Sequence, residues 1–354
     1  MNGLGPPGTP APLRVGLIGS GRIGRMHAGL LAAGINGAVL SAVADAVPGL
    51  AEEVGRTYNV PAVETDRLIA DTAIDAVAIC APTSTHVGYI IEAAEAGKSI
   101  FCEKPVSLDL AEVDRALAVV SRAGARLMVG FNRRFDPSHL AVKVAVAKGS
   151  VGAPHLVRIT SRDPEPPPMS YARVSGGLFL DMTVHDFDMA RYVVGSEVLE
   201  VTAAGAVRIE PELEEIGDVD TAVTMLRHEN DCLTVIDNSR QATYGYDQRV
   251  EVLGAKGLAG SDNPLTTTAF AWDADGTRAA RLPYFFIERY RESYLRQWEA
   301  FIASVASGTP PPTSGADGRA ALVLGLAAKR SLLEHRTVQT AEIQPQVETG
   351  RPDA

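Results

Sequence analysis

The segment Gly176–Gly177–Leu178–Phe179–Leu180–Asp181–Met182–Thr183–Val184–His185–Asp186–Phe187–Asp188 holds the densest set of reactive side chains in the sequence. Asp181 and His185 are four residues apart and Asp188 follows three later, so on one continuous helix the three share a face. An imidazole oriented by a carboxylate is a general acid–base pair near neutral pH. The same spacing suits Asp181 as a helix cap with His185 packed, or an Asp–His–Asp metal cluster. Spacing alone leaves all three readings open.

Three further motifs bring different chemistry. Gly19–Ser20–Gly21–Arg22–Ile23–Gly24 is G-x-G-x-x-G between an expected strand, Leu13–Ile18, and an expected helix. Gly19 permits a tight turn, Gly21 lets the backbone approach a pyrophosphate, and Gly24 allows close helix–strand packing, with Arg22 and Ile23 in the first helical turn. Asp45 comes 21 residues past Gly24, near the usual spacing for the acid that binds the ribose hydroxyls of NAD. Its carboxylate repels a 2′-phosphate and Ala46 supplies no cation, so NAD is expected rather than NADP. In Glu103–Lys104–Pro105, the proline holds Lys104 extended at a strand end, where an ammonium can stabilise a substrate oxygen; a solvated surface lysine is the alternative. Ala81–Pro82–Thr83–Ser84–Thr85–His86 also follows a strand, with Thr83 or Ser84 as N-cap beside the cofactor. His86 reads as a surface or packing histidine.

The elements that must position these groups change character along the chain. Short apolar runs at Leu13–Ile18, Val39–Ala44, Ile74–Ile79, Ser99–Cys102 and Arg126–Gly130 alternate with helical patterns, the grammar of βαβ units and a parallel sheet. After about residue 136 longer β-rich segments follow one another, with one helix near Val184–Val194 and closing helices at Tyr290–Val305 and Arg319–Leu333. The expected class is α/β: a Rossmann domain over 13–135, then an α+β domain over 136–340 with an open, mostly antiparallel sheet. Residues 1–12 are expected as a flexible leader and 341–354 as a tail.

Composition limits the partners. With 354 residues, 46% hydrophobic and 21% charged, the chain can fill two cores and does not read as disordered. Its net charge of −10 lacks the basic signature of a nucleic-acid binder. Cys80, Cys102 and Cys232 are odd in number and form no C-x-x-C, which signals neither a disulfide framework nor a zinc site. A cytoplasmic protein without a membrane span is expected, with no metal.

Taken in order, the Gly19–Gly24 turn, Asp45, Glu103–Lys104–Pro105 and Gly176–Gly177 with Asp181, His185 and Asp188 resemble the Gfo/Idh/MocA oxidoreductase family, over about Leu13 to Val338. Gly130–Phe131–Asn132–Arg133–Arg134–Phe135–Asp136, Asp181 to Asp188 with Arg191, Tyr244–Gly245–Tyr246–Asp247 and Glu288–Arg289–Tyr290 with Tyr294 are similar to segments of the family's inositol 2-dehydrogenases. The resemblance implies NAD-dependent oxidation of a cyclitol or sugar alcohol, with myo-inositol to 2-keto-myo-inositol leading. Other polyols, or a non-catalytic NAD-binding regulator, are the alternatives. It implies Lys104, Asp181 and His185 as the catalytic set, and Gly19, Gly21, Arg22, Ile23, Gly24, Asp45, Thr83 and Lys104 around the cofactor. Arg133, Asp163, Thr183, Tyr244 and Tyr246 join the catalytic set around the substrate. A homotetramer built through the second domain's sheet is also implied.

Overall fold

Five short runs, Leu13–Ile18 (β1), Ala38–Ala44 (β2), Ala76–Ile79 (β3), Ser99–Cys102 (β4) and Leu127–Val129 (β5), form one sheet in the order β2-β1-β3-β4-β5. Every pair is parallel. β3 and β4 are buried at every residue, which is why these runs are apolar throughout rather than alternating. Helices Arg22–Ala32, Leu50–Tyr58, Thr65–Ala70, Thr83–Glu95 and Leu110–Ala123 occupy the crossovers. Strand order reverses at β1 and β3, so their carboxyl ends border the crevice where open α/β sheets take ligands. The computed structural model describes residues 11–47 and 49–345; the expected leader through residue 10 and the tail beyond 345 lie outside them.

Backbone packing divides the chain into two units, one taking the chain through Val106 with Arg115–Gly130 and Leu295–Gly315, the other Ser107–Asp114, Phe131–Tyr294 and Ala316 onward. The sequence reading places one boundary near residue 135, whereas 295–315 pack with the first unit. The cause is aromatic. Trp298, on helix Arg291–Ser307, stacks on Phe101 of β4 with ring centroids 4.8 Å apart, and Phe301 meets both edge-on. Each such pair adds about 0.5–1.5 kcal/mol beyond the burial itself.

The second unit carries Pro154–Arg162 (β6), Val198–Ala206 (β7), Thr221–His228 (β8), Leu233–Ser239 (β9), Asp247–Gly254 (β10), Gly257–Ser261 (β11), the hairpin Phe270–Asp273 (β12) and Gly276–Ala279 (β13), and Val338–Gln339 (β14). Its main sheet runs β11-β10-β6-β9-β8-β7-β14. The pairs are antiparallel except β6 with β9. That pair is parallel because helices and two strands lie between its members, enough chain for a crossover. Phe187, Ala190 and Val193 from helix Val184–Val194, with Leu324, Ala327 and Ala328 from helix Gly315–Glu334, share a core with Val157, Ile159, Leu226 and Ile236 of the sheet. On the strands' other face Val223, Met225 and Leu233 are exposed. Past β14 the chain is held by Arg336, which pairs with Glu342 at 2.7 Å. Among the described residues no helix is long and apolar enough to cross a membrane.

One contact sets the first helix on the sheet. A Cβ at Gly24 would stand 1.9 Å from the carbonyl oxygen of Gly19, whereas one at Gly21 would meet nothing within 4 Å. Alanine's helical preference over glycine, about 1 kcal/mol, cannot offset a backbone collision. Gly24→Ala is expected to lower unfolding free energy by at least about 3 kcal/mol, and Gly21→Ala to change it by less than about 1 kcal/mol, both read from urea denaturation.

Candidate active site

The turn after β1 is built for close backbone contact. Gly19 has φ +98°, and a Cβ there would stand 2.6 Å from the backbone of Cys80 and Ala81 past β3. Only glycine fits, because the turn is pressed against the neighbouring strand's end. Gly21 has an ordinary φ of −70° and leaves space where its side chain would be, at the N-terminus of helix Arg22–Ala32. Arg22 is exposed and Ile23 partly so in the first turn. Asp45, just past β2, is turned toward this loop: its carboxylate accepts from the Ser20 N–H at 2.6 Å and the Val47 N–H at 2.8 Å. A glycine cradle, a helix N-terminus and a fixed carboxylate are the donor and acceptor set an adenine dinucleotide needs, so these residues fit NAD.

Thr83 does not cap its helix as expected. Pro82 occupies the N-cap position without a side-chain bond and Thr83 is the first helical residue. Thr85 instead donates its hydroxyl to the Pro82 carbonyl at 2.8 Å. Lys104 lies two residues beyond β4, half-buried, at the carboxyl edge of the sheet, and its bond to Pro105 is cis.

In the second unit the reactive segment is not one helix. Leu178–Asp181 forms a single turn and Val184–Val194 a separate helix. Thr183 N–H bonds to Leu178 O, five residues back, at 3.0 Å. This wider turn interrupts the helix, so the three residues Asp181, His185 and Asp188 do not lie on one continuous helix and their spacing alone no longer fixes a shared face. Asp188 pairs with Arg134 at 2.5 Å, and Arg134 also reaches Asp317. Asp181 accepts from the Tyr171 hydroxyl at 2.8 Å and from two nitrogens of Arg240 at 3.2 Å. Its carboxylate thus serves a polar cluster, and no side chain caps helix Val184–Val194. His185 is the one residue of Leu178–Ala190 that is not buried, and Phe131 meets its ring edge-on.

The expected substrate contacts fall into two groups. Arg133 is buried against Asp186 at 2.5 Å and Ser161 at 3.2 Å, and its cation lies over the Tyr290 ring. Asn238 joins this network, donating to Asp186 at 2.9 Å and accepting from the Thr183 hydroxyl at 2.8 Å. Tyr246 is buried edge-on against Tyr290. Tyr244 is exposed, its hydroxyl shared between Asp247 and Arg162. Asp163, in contrast, stands 3.6 Å from Arg240, joining Asp181 around one guanidinium.

Arg240 and Tyr171 went unnoticed in the sequence. Arg240 lies 59 residues from Asp181, just past β9, and no local pattern links them; Tyr171 sits on helix Met169–Ser175, beyond the stretch Pro164–Glu165–Pro166–Pro167–Pro168. Burial raises Asp163 to about 6 from 3.8; Asp181 adds to the rise while Arg240 opposes it. The folded chain therefore binds more protons than the unfolded chain between about pH 4 and 6, so this group's contribution to stability falls as pH rises through that window. Asp163→Asn removes the penalty of the ionised carboxylate. The variant is expected to be more stable than the parent by about 1–3 kcal/mol at pH 8, with the gain vanishing toward pH 4, as measured by denaturant unfolding across pH.

Comparison with known proteins agrees with this geometry. Residues 13–131 match the oxidoreductase family model with an NAD-binding Rossmann fold, and residues 139–259 match the GFO/IDH/MocA C-terminal domain. A myo-inositol 2-dehydrogenase of Thermotoga maritima is 51% identical, covering 94% of this chain and 99% of the relative. An inositol 2-dehydrogenase of Rhizobium meliloti is 46% identical over 93% and 99%. The crystal structure of scyllo-inositol dehydrogenase from Lactobacillus casei, with bound NAD(H) and scyllo-inositol, superimposes with a TM-score of 0.87 at 29% identity, covering 93% of this chain and 99% of that one. The turn around Gly19, the acid Asp45 and the matches over both halves place this chain in the Gfo/Idh/MocA family of NAD-binding oxidoreductases.

Proposed function

We propose that this protein oxidises a secondary alcohol of a cyclitol, converting myo-inositol to 2-keto-myo-inositol with NAD. The observation that carries the reading is His185, the partly exposed member of an otherwise buried segment, four residues from a carboxylate held by Arg240 and Tyr171. The names of the relatives support the substrate class. NAD, held at Gly19, Gly21, Arg22, Ile23, Gly24, Asp45 and Thr83, supplies the hydride-accepting carbon.

The chain's own residues handle the proton and the oxygen. His185 takes the proton of the reacting hydroxyl, Asp181 orients the imidazole and balances its charge, and Lys104 positions the oxygen and stabilises the negative charge that develops there. Asp163 and Tyr244 offer polar groups to ring hydroxyls. Arg133, Thr183 and Tyr246 are buried and set the shape of the site. An inverted hydroxyl would leave a buried partner unpaired, which is how such a site tells isomers apart.

Two further proposals concern the whole molecule. The exposed apolar residues Val223, Met225 and Leu233 support a homotetramer assembled through the open face of the sheet, since such a patch marks an interaction surface. Three buried free cysteines suit a cytoplasmic setting.

The test is NADH formation from myo-, scyllo- and chiro-inositol and glucose. Myo-inositol is expected to be turned over preferentially; preference for another polyol would move the substrate, and silence across the set would refute the reading. His185→Ala is expected to lower kcat by roughly 10²–10⁴-fold with NADH affinity retained. In Asp45→Ala, NAD affinity should fall roughly tenfold or more and discrimination against NADP should shrink. An unchanged cofactor preference would show that Asp45 does not bind the ribose.

A further inference from the structure

The first unit contains two buried histidines that the chemistry above leaves unused. His27 is fully buried one turn into helix Arg22–Ala32. The Trp298 indole N–H donates to its Nδ1 at 3.0 Å, and its Nε2 lies 2.8 Å from Glu103 Oε1. Because an indole nitrogen can only donate, Nδ1 must accept, so the hydrogen of a neutral ring sits on Nε2 and points at Glu103. Glu103 Oε2 in turn accepts from the Lys104 backbone N–H at 3.3 Å. Gly130 makes room for this carboxylate, since a Cβ there would stand 2.8 Å from Oε2.

His86 holds the other side of the same residue. It is buried on helix Thr83–Glu95, with Nδ1 2.9 Å from the Pro105 carbonyl and Nε2 2.8 Å from the Ala81 carbonyl. Lys104 thus stands between Glu103, tied through His27 to helix Arg22–Ala32, and Pro105, tied through His86 to helix Thr83–Glu95. A buried carboxylate, two imidazoles and an indole N–H are a costly way to fill space, and well-packed apolar residues of similar volume would be as stable or more so. Directed hydrogen bonds that end on the two neighbours of one lysine restrict where its backbone can sit.

We propose that His27, acting through Glu103, and His86, acting through Pro105, are positioning residues for Lys104. The inference rests on the role given to Lys104 above, and it adds that the presentation of this amine is set from inside the sheet and helix core. Glutamine can replace both functions of His27, since its amide donates and accepts; phenylalanine can replace neither.

The test compares His27→Phe, His27→Gln and His86→Phe with the parent, measuring kcat, KM for NAD and polyol, NADH affinity, melting temperature and the rate at which trace acetic anhydride labels Lys104, read by mass spectrometry. His27→Phe and His86→Phe are expected to lower kcat by roughly 10–100-fold, to change NADH affinity by less than about threefold, and to alter Lys104 labelling. His27→Gln is expected to restore most of both. Trp298→Phe, which keeps an aromatic ring on Phe101 but removes the indole N–H that His27 accepts from, is expected to move labelling in the same direction and serves if His27→Phe does not fold. Unchanged Lys104 labelling in these variants, or losses of kcat that follow melting temperature without recovery in His27→Gln, would overturn the proposal. If the parent oxidises no polyol while labelling still follows His27, the catalytic reading fails and the positioning role stands.

Discussion

Gly24 lies so close to the Gly19 carbonyl that a single methyl group would collide with it at 1.9 Å, and much of the first unit follows from that approach. It seats helix Arg22–Ala32 against the ends of β1 and β3, which opens the N-terminal turn beside Asp45. Three residues further on, the same helical face carries His27 into the core. There it meets Glu103 and Trp298. One backbone contact therefore governs both the loop that fits a dinucleotide and the buried bonds beside Lys104.

The second unit works by a different constraint, the placement of charge away from water. Arg240 is buried and shared by Asp163 and Asp181; Arg133 is buried against Asp186, and Arg134 against Asp188. Each cation repays its desolvation only through such partners. Asp163 keeps its proton to about 6 because burial outweighs what Arg240 returns. The carboxylates flanking His185 in sequence thereby meet different cations: Asp181 meets Arg240, Asp186 meets Arg133 and Asp188 meets Arg134.

Local periodicity made most of the architecture legible. The boundaries of β1, β4 and helix Val184–Val194 coincide with the runs read from the sequence, because each is a contiguous pattern closed by a turn residue. What periodicity missed depends on contacts distant in sequence. The parallel pairing of β6 with β9 and the return of Trp298 and Phe301 to β4 have no local signature. Asp181 and His185 stood out because they sit in one short motif, whereas Arg240 reaches Asp181 only after β9 is in place. The break at Met182–Thr183 depends on one five-residue backbone bond, invisible in a spacing argument that assumes an unbroken helix. His86, read as a surface or packing histidine, is buried, and nothing local signals the two carbonyls it meets.

In the proposed reaction hydride passes directly from a ring carbon of the polyol to the nicotinamide. The most direct measurement is to supply myo-inositol deuterated at C2 with NAD and to locate the label in the product by NMR. Deuterium is expected at C4 of the NADH formed, on one face only, with the oxidised polyol recovered as its ketone. NADH formed without the label, or label lost to water, would contradict it.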